Sequence, residues 1–577
     1  MTAAYGLAGV VLVVIATLLI GTLGLRISRT TSDFYVASRT VTPLRNASAI
    51  GGEYLSAASF LGIAGLILAY GADMLWLPVG WTGGYLVLLV LVSAPLRRSG
   101  AYTLPDFAEA RLESMAVRRA TSVLVVLIGW LYLLPQFQSA GLVLRTVVGA
   151  PLWSGGVLIA VVVATNVLAG GMRSITLVQA FQYWMKLTAL AVPLIFLLLA
   201  WRFDGAPDLS SRDAPPRFAE RTAVSIGLPV TVEVITPVRV TADGHVDGRR
   251  YDGSEITLGA GPHRIDNGTT VTFPAGADVP HVKGTPVRTD REWAMPLAGR
   301  DHSIYATYSL ILATFLGTMG LPHVLVRFYT NPDGKAARRT TVMVLSLLGA
   351  FYLLPALYGA LGRLYTPELL MTGRTDAVVL TLPGRVIGGL GGDLLGALVT
   401  GGAVAAFLST SSGITVSVAG VLAQDILRGG VRSFRAATVL ALIVPLGLAI
   451  AARELSVADV VGLAFAVAAS TCCPLLVLGV WWRRLTVAGA LAGLATGGVL
   501  AGAAVVVTIA AGPPSGLAGA LLAQPAAWTV PLAFATMIVV SWCTPRQVPP
   551  GVVRMMVRLH TPESLDVDRG TWRPRRV

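Results

Sequence analysis

Apolar runs of about 20 residues return along almost the whole chain, each long enough for a helix to cross a hydrocarbon layer. Thirteen are read, near 3–25, 46–70, 75–95, 120–148, 152–170, 177–201, 303–326, 340–362, 386–423, 434–452, 456–482, 487–511 and 527–544. The pattern predicts an all-α polytopic membrane protein. Composition agrees: 54% of the 577 residues are apolar and 13% charged, against about 25% charged in soluble domains. The ninth run is long for one crossing, so it tilts or begins before the bilayer. The first lacks a basic n-region and a cleavage site, which reads as a retained helix rather than a signal peptide.

The net charge is +14, and its distribution sets orientation. Basic residues gather after span one (Arg26, Arg29, Arg39, Arg45), span three (Arg97, Arg98, Arg111, Arg118, Arg119), span five (Arg173) and span seven (Arg327, Lys335, Arg338, Arg339). They gather again after span nine (Arg428, Arg432, Arg435), after span eleven (Arg483, Arg484) and in the tail (Arg546, Arg554, Arg558). All lie on one side of a thirteen-span chain, which the positive-inside bias makes cytoplasmic. The N-terminus is then outside and the C-terminus cytoplasmic. Lipid, not nucleic acid, is the partner this charge implies.

The polar stretch 203–300 interrupts the pattern. It alternates in strand fashion at Val230–Ile235 and Thr269–Phe273 and carries turn signals at Asp243-Gly244 and Asn267-Gly268. A small β-rich extracytoplasmic insert is expected there, with a partly disordered spacer as the alternative. The chain then divides into 1–202 (spans one to six), 203–300 (insert), 301–545 (spans seven to thirteen) and 546–577 (basic tail). Cys472, Cys473 and Cys543 show no metal-ligand spacing and read as inert thiols. No phosphate loop or catalytic-triad signature is present, so an ion gradient rather than ATP or enzyme chemistry is expected.

Three runs carry polar groups that lipid does not tolerate. Ile50–Gly62 holds Gly51-Gly52, Glu53, Ser56 and Ser59 at membrane depth. Irregular polar backbone persists there only where it lines a cavity or an ion site. The glycine pair is expected to break the helix and free carbonyls for a cation. Glu53 must be protonated, paired or linked to an ion, and a carboxyl merely hydrogen-bonded within the bundle is the plainer reading. Ser56 and Ser59 either face the cavity or back-bond to carbonyls. Gly317–His323, with Thr318, Gly320 and Pro322, interrupts span seven, five spans after the first break. That spacing suits two five-helix halves related as inverted repeats, with half-helix N-termini aimed at an anionic substrate. His323 reads as an interfacial hydrogen-bonder at the cytoplasmic end.

Span nine holds four successive hydroxyls, Ser409 to Ser412. Ser409 and Thr410 can offer oxygens to a hard cation such as Na⁺, or serve only as small packing residues. Gln136 is expected to line the cavity. Gln179 and Gln182 are expected to satisfy one another or the cavity.

At Glu53–Gly62, Gly317–Tyr329, Val461–Ser470 and Asp33–Ala37 the chain resembles the sodium:solute symporter family, most closely its cation/acetate or monocarboxylate branch. The resemblance covers nearly all of the membrane part and not the insert. It implies a leucine-transporter-type 5+5 inverted repeat over spans two to eleven. It also implies a Na⁺ site built from the carbonyls of Gly52, Leu55 and Ala406 and the hydroxyls of Ser409 and Thr410. The function it implies is a plasma-membrane symporter for Na⁺ and a short-chain monocarboxylate such as acetate. Glu53, Ser56, Ser59, Gln136, Thr318 and Gly320 are the candidates for substrate or coupling. Proton coupling, another solute, and a transporter-like sensor whose insert binds a partner are the alternatives.

Overall fold

The structure is a computed structural model that describes residues 3–25, 41–209, 213–283, 285, 289–297, 302–427, 430–451, 457–511 and 516–562. Asp33–Ala37, Arg26, Arg29, Arg39, Arg428 and the tail beyond 562 lie outside them. The helices that frame the molecule are α1 (Ala3–Leu25), α2 (Pro43–Tyr54), α3 (Ile63–Tyr70), α4 (Trp76–Val87), α5 (Leu104–Leu112), α6 (Met115–Val148) and α7 (Leu152–Phe203). After the insert come α8 (Ser303–Gly320), α9 (Pro322–Val326), α10 (Gly334–Tyr365), α11 (Gly389–Asp425), α12 (Val431–Ala451), α13 (Val457–Ser470), α14 (Cys472–Trp481), α15 (Val487–Ala511) and α16 (Ala526–Cys543).

Among the described residues, 11 helical segments are long and apolar enough to cross a membrane, where thirteen runs were read. One of them, Ala58–Arg98, is 41 residues long and holds most of the second and third runs. The fifth and sixth runs share the 52-residue α7, whose apolar parts are Leu152–Leu168 and Ser174–Phe203. Apolar periodicity marks lipid-length stretches but does not mark where a helix pauses.

Both expected interruptions are present, one of them displaced. α2 ends at Tyr54, Leu55 leaves the helical region (φ −74°, ψ 83°), and the chain resumes as a π-helical turn over Ala58–Gly62. Gly51 and Gly52 are therefore helical, and the break falls just after them. Their role is close approach: a Cβ on Gly52 would lie 2.2 Å from the Gln179 carbonyl oxygen of α7. The second break sits at Leu321 (ψ 117°), between α8 and α9. Pro322 causes it, because proline has no N–H to donate and pushes the preceding residue toward extended backbone.

Three arginines expected in loops are buried instead. Arg118 is bonded by Asp106 (2.9 Å), Glu109 (2.5 Å) and Asp425 (2.6 Å), joining α5, α6 and α11. Arg111 donates to the carbonyls of Gly479 (2.8 Å) and Trp482 (2.9 Å), at the end of α14 where helical carbonyls lack partners. Arg327 is paired with Glu53 at 2.6 Å.

Among its described residues the insert contains seven antiparallel strands: β1 (Thr222–Ser225), β2 (Val230–Val234), β3 (Val238–Val246), β4 (Arg249–Leu258), β5 (Gly261–Ile265), β6 (Thr270–Phe273) and β7 (His281–Val282). Their order is β1-β6-β3-β5-β2-β7, with β4 paired to β3. Along β2, Val232 and Val234 point inward and Glu233 outward. Asp243-Gly244 is a bulge inside β3 rather than a turn; Gly244 accepts the φ of +123° that the bulge imposes. The β3–β4 turn is instead Asp247-Gly248, with Gly248 at φ +75°.

The sheet is tied to the helices. The Trp293 indole donates to the carbonyls of Ile67 (2.7 Å) and Leu68 (3.1 Å) in α3. Arg363 of α10 pairs with Asp290 at 2.9 Å, both buried. Arg145 of α6 donates to the Gly227 carbonyl at 2.9 Å.

Candidate functional site

The break after α2 strips the last helical carbonyls of their usual donors. Lys186, on α7, supplies them. Its Nζ donates to the carbonyls of Gly52 and Leu55 (2.7 Å for Leu55) and bonds Ser409 Oγ of α11 at 2.8 Å. Ser409 Oγ also lies 2.6 Å from the Gly52 oxygen and 3.0 Å from the Ala406 oxygen. Lys186 is wholly buried. Four of the five expected cation ligands, Gly52, Leu55, Ala406 and Ser409, therefore come together, around a lysine nitrogen. Thr410 stands apart; its hydroxyl donates to the Glu53 carbonyl at 2.6 Å.

Beside this pocket lies an ion pair. Glu53 Oε2 accepts from Arg327 Nε at 2.6 Å, with both side chains at most 3% exposed. Arg327 also donates to Thr176 Oγ1 (2.8 Å) and to Gln179 Oε1. Gln179 Nε2 donates to the Ser409 carbonyl at 2.7 Å. Gln179 thus bridges the ion pair to α11 rather than to Gln182, which reaches Thr17 of α1 at 3.1 Å. Space at Glu53 is tight: a Cβ on Gly413 would sit 2.1 Å from its carboxyl carbon.

The other side of the break begins a new half-helix, whose first N–H groups form a positive end. Gln136 Oε1 accepts from Ala57 N at 3.1 Å, and Gln136 Nε2 has no partner among the described residues. Aromatic side chains wall this region: Tyr54 packs edge-on to Tyr85 at 4.9 Å, and Trp81 lies 5.6 Å from Phe465. The Tyr85 hydroxyl and the Trp81 indole N–H are buried without partners among the described residues. Ser59 Oγ is taken by the Tyr352 hydroxyl at 3.2 Å.

Thr318 Oγ1 meets the Tyr54 hydroxyl at 2.7 Å, joining the two interrupted helices. Gly320 serves close packing, since a Cβ there would lie 2.4 Å from the Ala468 oxygen. His323, expected as an interfacial hydrogen-bonder, is buried against the Tyr132 ring at 5.1 Å. A separate cavity of about 560 Å³ opens between α6, α7 and the insert, near Tyr70, Gln138, Leu228 and Arg374. None of Glu53, Ser56, Gln136 or Lys186 lines it.

Sequence reasoning missed Lys186 and the burial of Arg327. The signal for Lys186 was present: a lysine inside an apolar span is costly and calls for a function and a partner. Arg327 sits at a span end, where a snorkelling loop arginine and a buried one read alike.

A family model for the sodium:solute symporter family matches residues 34–205 and 298–497. The chain belongs to this family. Membership makes it a transporter rather than an enzyme. The unmatched residues 206–297 hold all seven strands. An uncharacterized symporter of Bacillus subtilis, YwcA, is 30% identical over 83% of this chain and 82% of its own length. A monocarboxylic acid transporter of Corynebacterium glutamicum is 30% identical over 82% of this chain and 79% of its own. The fold resembles that of a Na⁺-coupled sialic acid symporter solved in a substrate-bound, outward-open state. The TM-score is 0.62 at 13% identity, over 94% of this chain and 97% of that one.

The family name implies a sodium ion. A sodium ion would have to displace the Lys186 nitrogen before it could reach the oxygens expected to hold it. The lysine already occupies the oxygens of Gly52, Leu55 and Ser409. With Lys186 so placed, these residues do not fit sodium.

Proposed function

We propose that this family member is a plasma-membrane symporter that drives uptake of a short-chain monocarboxylate, such as acetate, with an ion gradient. One observation carries the anionic substrate: the buried Gln136 Nε2, without a partner among the described residues, at the positive start of the half-helix after Ser56. A carboxylate is the group such donors suit. The wall of Tyr54, Trp81, Tyr85 and Phe465 favours a short apolar tail behind the carboxylate. The relative named a monocarboxylic acid transporter supports the same class. In this reading Gln136 and Ser56 hold the substrate, and Thr318 and Ser59 keep the aromatic wall in place. The Glu53–Arg327 pair ties the first broken helix to the segment after the second. Orientation follows the arginine distribution, with the insert outside and the C-terminus in the cytoplasm.

For the driving ion, sodium is supported by the family and by the Na⁺-coupled structural neighbour. Lys186 among the expected sodium ligands supports a proton instead, and the site residues favour that reading. Uptake of labelled acetate, pyruvate and propionate into proteoliposomes, under imposed Na⁺ or pH gradients, tests both. Gradient-driven acetate accumulation is expected, with Gln136→Ala weakening the apparent affinity for acetate about tenfold, the equivalent of about 1.4 kcal/mol. No gradient-driven accumulation of any of the three would remove the monocarboxylate reading.

A further inference from the structure

We infer that Lys186 is a built-in occupant of the cation pocket: its side-chain nitrogen takes the oxygens that a sodium-coupled carrier gives to an ion from solution, so this pocket neither binds nor needs sodium. The inference rests on reading the pocket as the cation pocket of a symporter. Three facts carry it. Nζ bonds three oxygens, those of Gly52, Leu55 and Ser409, and an ammonium has three N–H groups to give. Those oxygens belong to the broken helix α2 and to α11, so the lysine bridges the two elements whose contact a bound ion would control. Lys186 is fully buried on a long, well-packed helix, so it is no surface side chain resting in a vacant site.

The surrounding charges fit this role. Glu53 is engaged by Arg327 at 2.6 Å. Carbonyl oxygens only accept hydrogen bonds, so N–H groups of Lys186 point at Gly52 and Leu55 in either protonation form. A sodium ion must displace them to coordinate those oxygens. The attachment has a mechanical consequence. A soluble ion leaves the α2–α11 contact when the carrier opens inward, whereas a tethered one can only swing on its four-carbon stem. The contact is then broken by movement of α7 relative to α2, not by ion release.

The test is sodium binding to the purified full-length protein, which needs no knowledge of the substrate. Radiolabelled Na⁺ is titrated in choline buffer, and thermal unfolding is followed in NaCl against choline chloride. The wild type is expected to show no saturable Na⁺ binding and the same melting curve in both salts. Lys186→Ala, which empties the pocket but leaves its oxygens, is expected to gain saturable Na⁺ binding, and Lys186→Ala with Ser409→Ala to lose it again. Saturable binding by the wild type that Ser409→Ala removes overturns the inference. Absence of binding in both wild type and Lys186→Ala also overturns it, since the pocket would then be no cation site. Should Lys186→Ala fail to fold, Lys186→Met, which keeps an unbranched stem without N–H groups, takes its place with the same expected gain of Na⁺ binding. In proteoliposomes, acetate uptake is expected to be equal in sodium and choline media at fixed pH. Absence of all acetate uptake would count against the substrate, while the binding titration would still decide the lysine's role.

Discussion

At the scale of single residues, the site is governed by what a dry interior demands of charge. Glu53 was expected to be protonated, paired or ion-linked, and it is paired, with Arg327 at 2.6 Å. Removing one partner of a buried pair strands the other, at a cost of about 3–5 kcal/mol. Glu53→Ala is therefore expected to lower the thermal stability of the detergent-purified protein sharply and to abolish uptake. Glu53→Gln combined with Arg327→Gln is expected to recover much of the stability but not the transport. Melting curves of the single and double variants check this; a Glu53→Ala protein as stable as wild type would show that the pair is dispensable. Glu53 stood out in sequence because a carboxylate at membrane depth is rare. Lys186 was equally visible as an intramembrane charge, but nothing in one sequence says that its nitrogen reaches α2 from α7.

At the scale of elements, the two helix breaks were legible because glycine and proline punctuate apolar runs. Their placement was less so. The Gly51-Gly52 pair remains helical, since close packing, of Gly51 against the Tyr183 ring and of Gly52 against the Gln179 carbonyl, is what it provides, not flexibility. The insert's alternating segments correspond to β2 and β6, while the Asp243-Gly244 signal marks a bulge, because bulge and turn both ask for a positive φ. His281, on β7, gives the insert a pH dependence. Burial, with the nearby Arg363 guanidinium, pushes its imidazole down to about 4 from 6.5. The folded insert holds the ring neutral, so this contribution is complete above pH 6.5. It is lost as the pH falls from 6.5 toward 4, by about 3 kcal/mol. Melting curves from pH 7 to pH 4 are expected to fall more steeply for the wild type than for His281→Gln. Parallel curves would show that the ring does not titrate with unfolding.

At the scale of the whole molecule, the proposed substrate region and the open cavity are distinct. Gln136 is fully buried, whereas Thr375 lines the cavity of about 560 Å³ beside the insert. Cys543 is exposed and Cys472 and Cys473 are buried, so Cys543→Ser provides a quiet background for thiol labelling. In that background Thr375→Cys is expected to react rapidly with maleimide and Gln136→Cys slowly, with ligands that open the site speeding the second. Equal rates would mean that the cavity already reaches the site. The insert shares this cavity and is bonded to α3, α6 and α10 through Trp293, Gly227 and Asp290. The family model leaves it unmatched, yet it is attached to the second half of the broken helix.

The membrane class, the family and the presence of two broken helices were legible in the sequence, because lipid allows few polar groups and makes each one conspicuous. Which side chain meets which was settled only by tertiary packing. Gly52, Lys186, Glu53, Arg327 and Ser409 are scattered over more than 350 positions, the separation of Gly52 and Ser409 alone being 357. Hydrogen bonds at about 3 Å depend on helix rotation and register that no local pattern encodes. The fold therefore decided that a lysine, not only a set of oxygens, sits where a cation was expected.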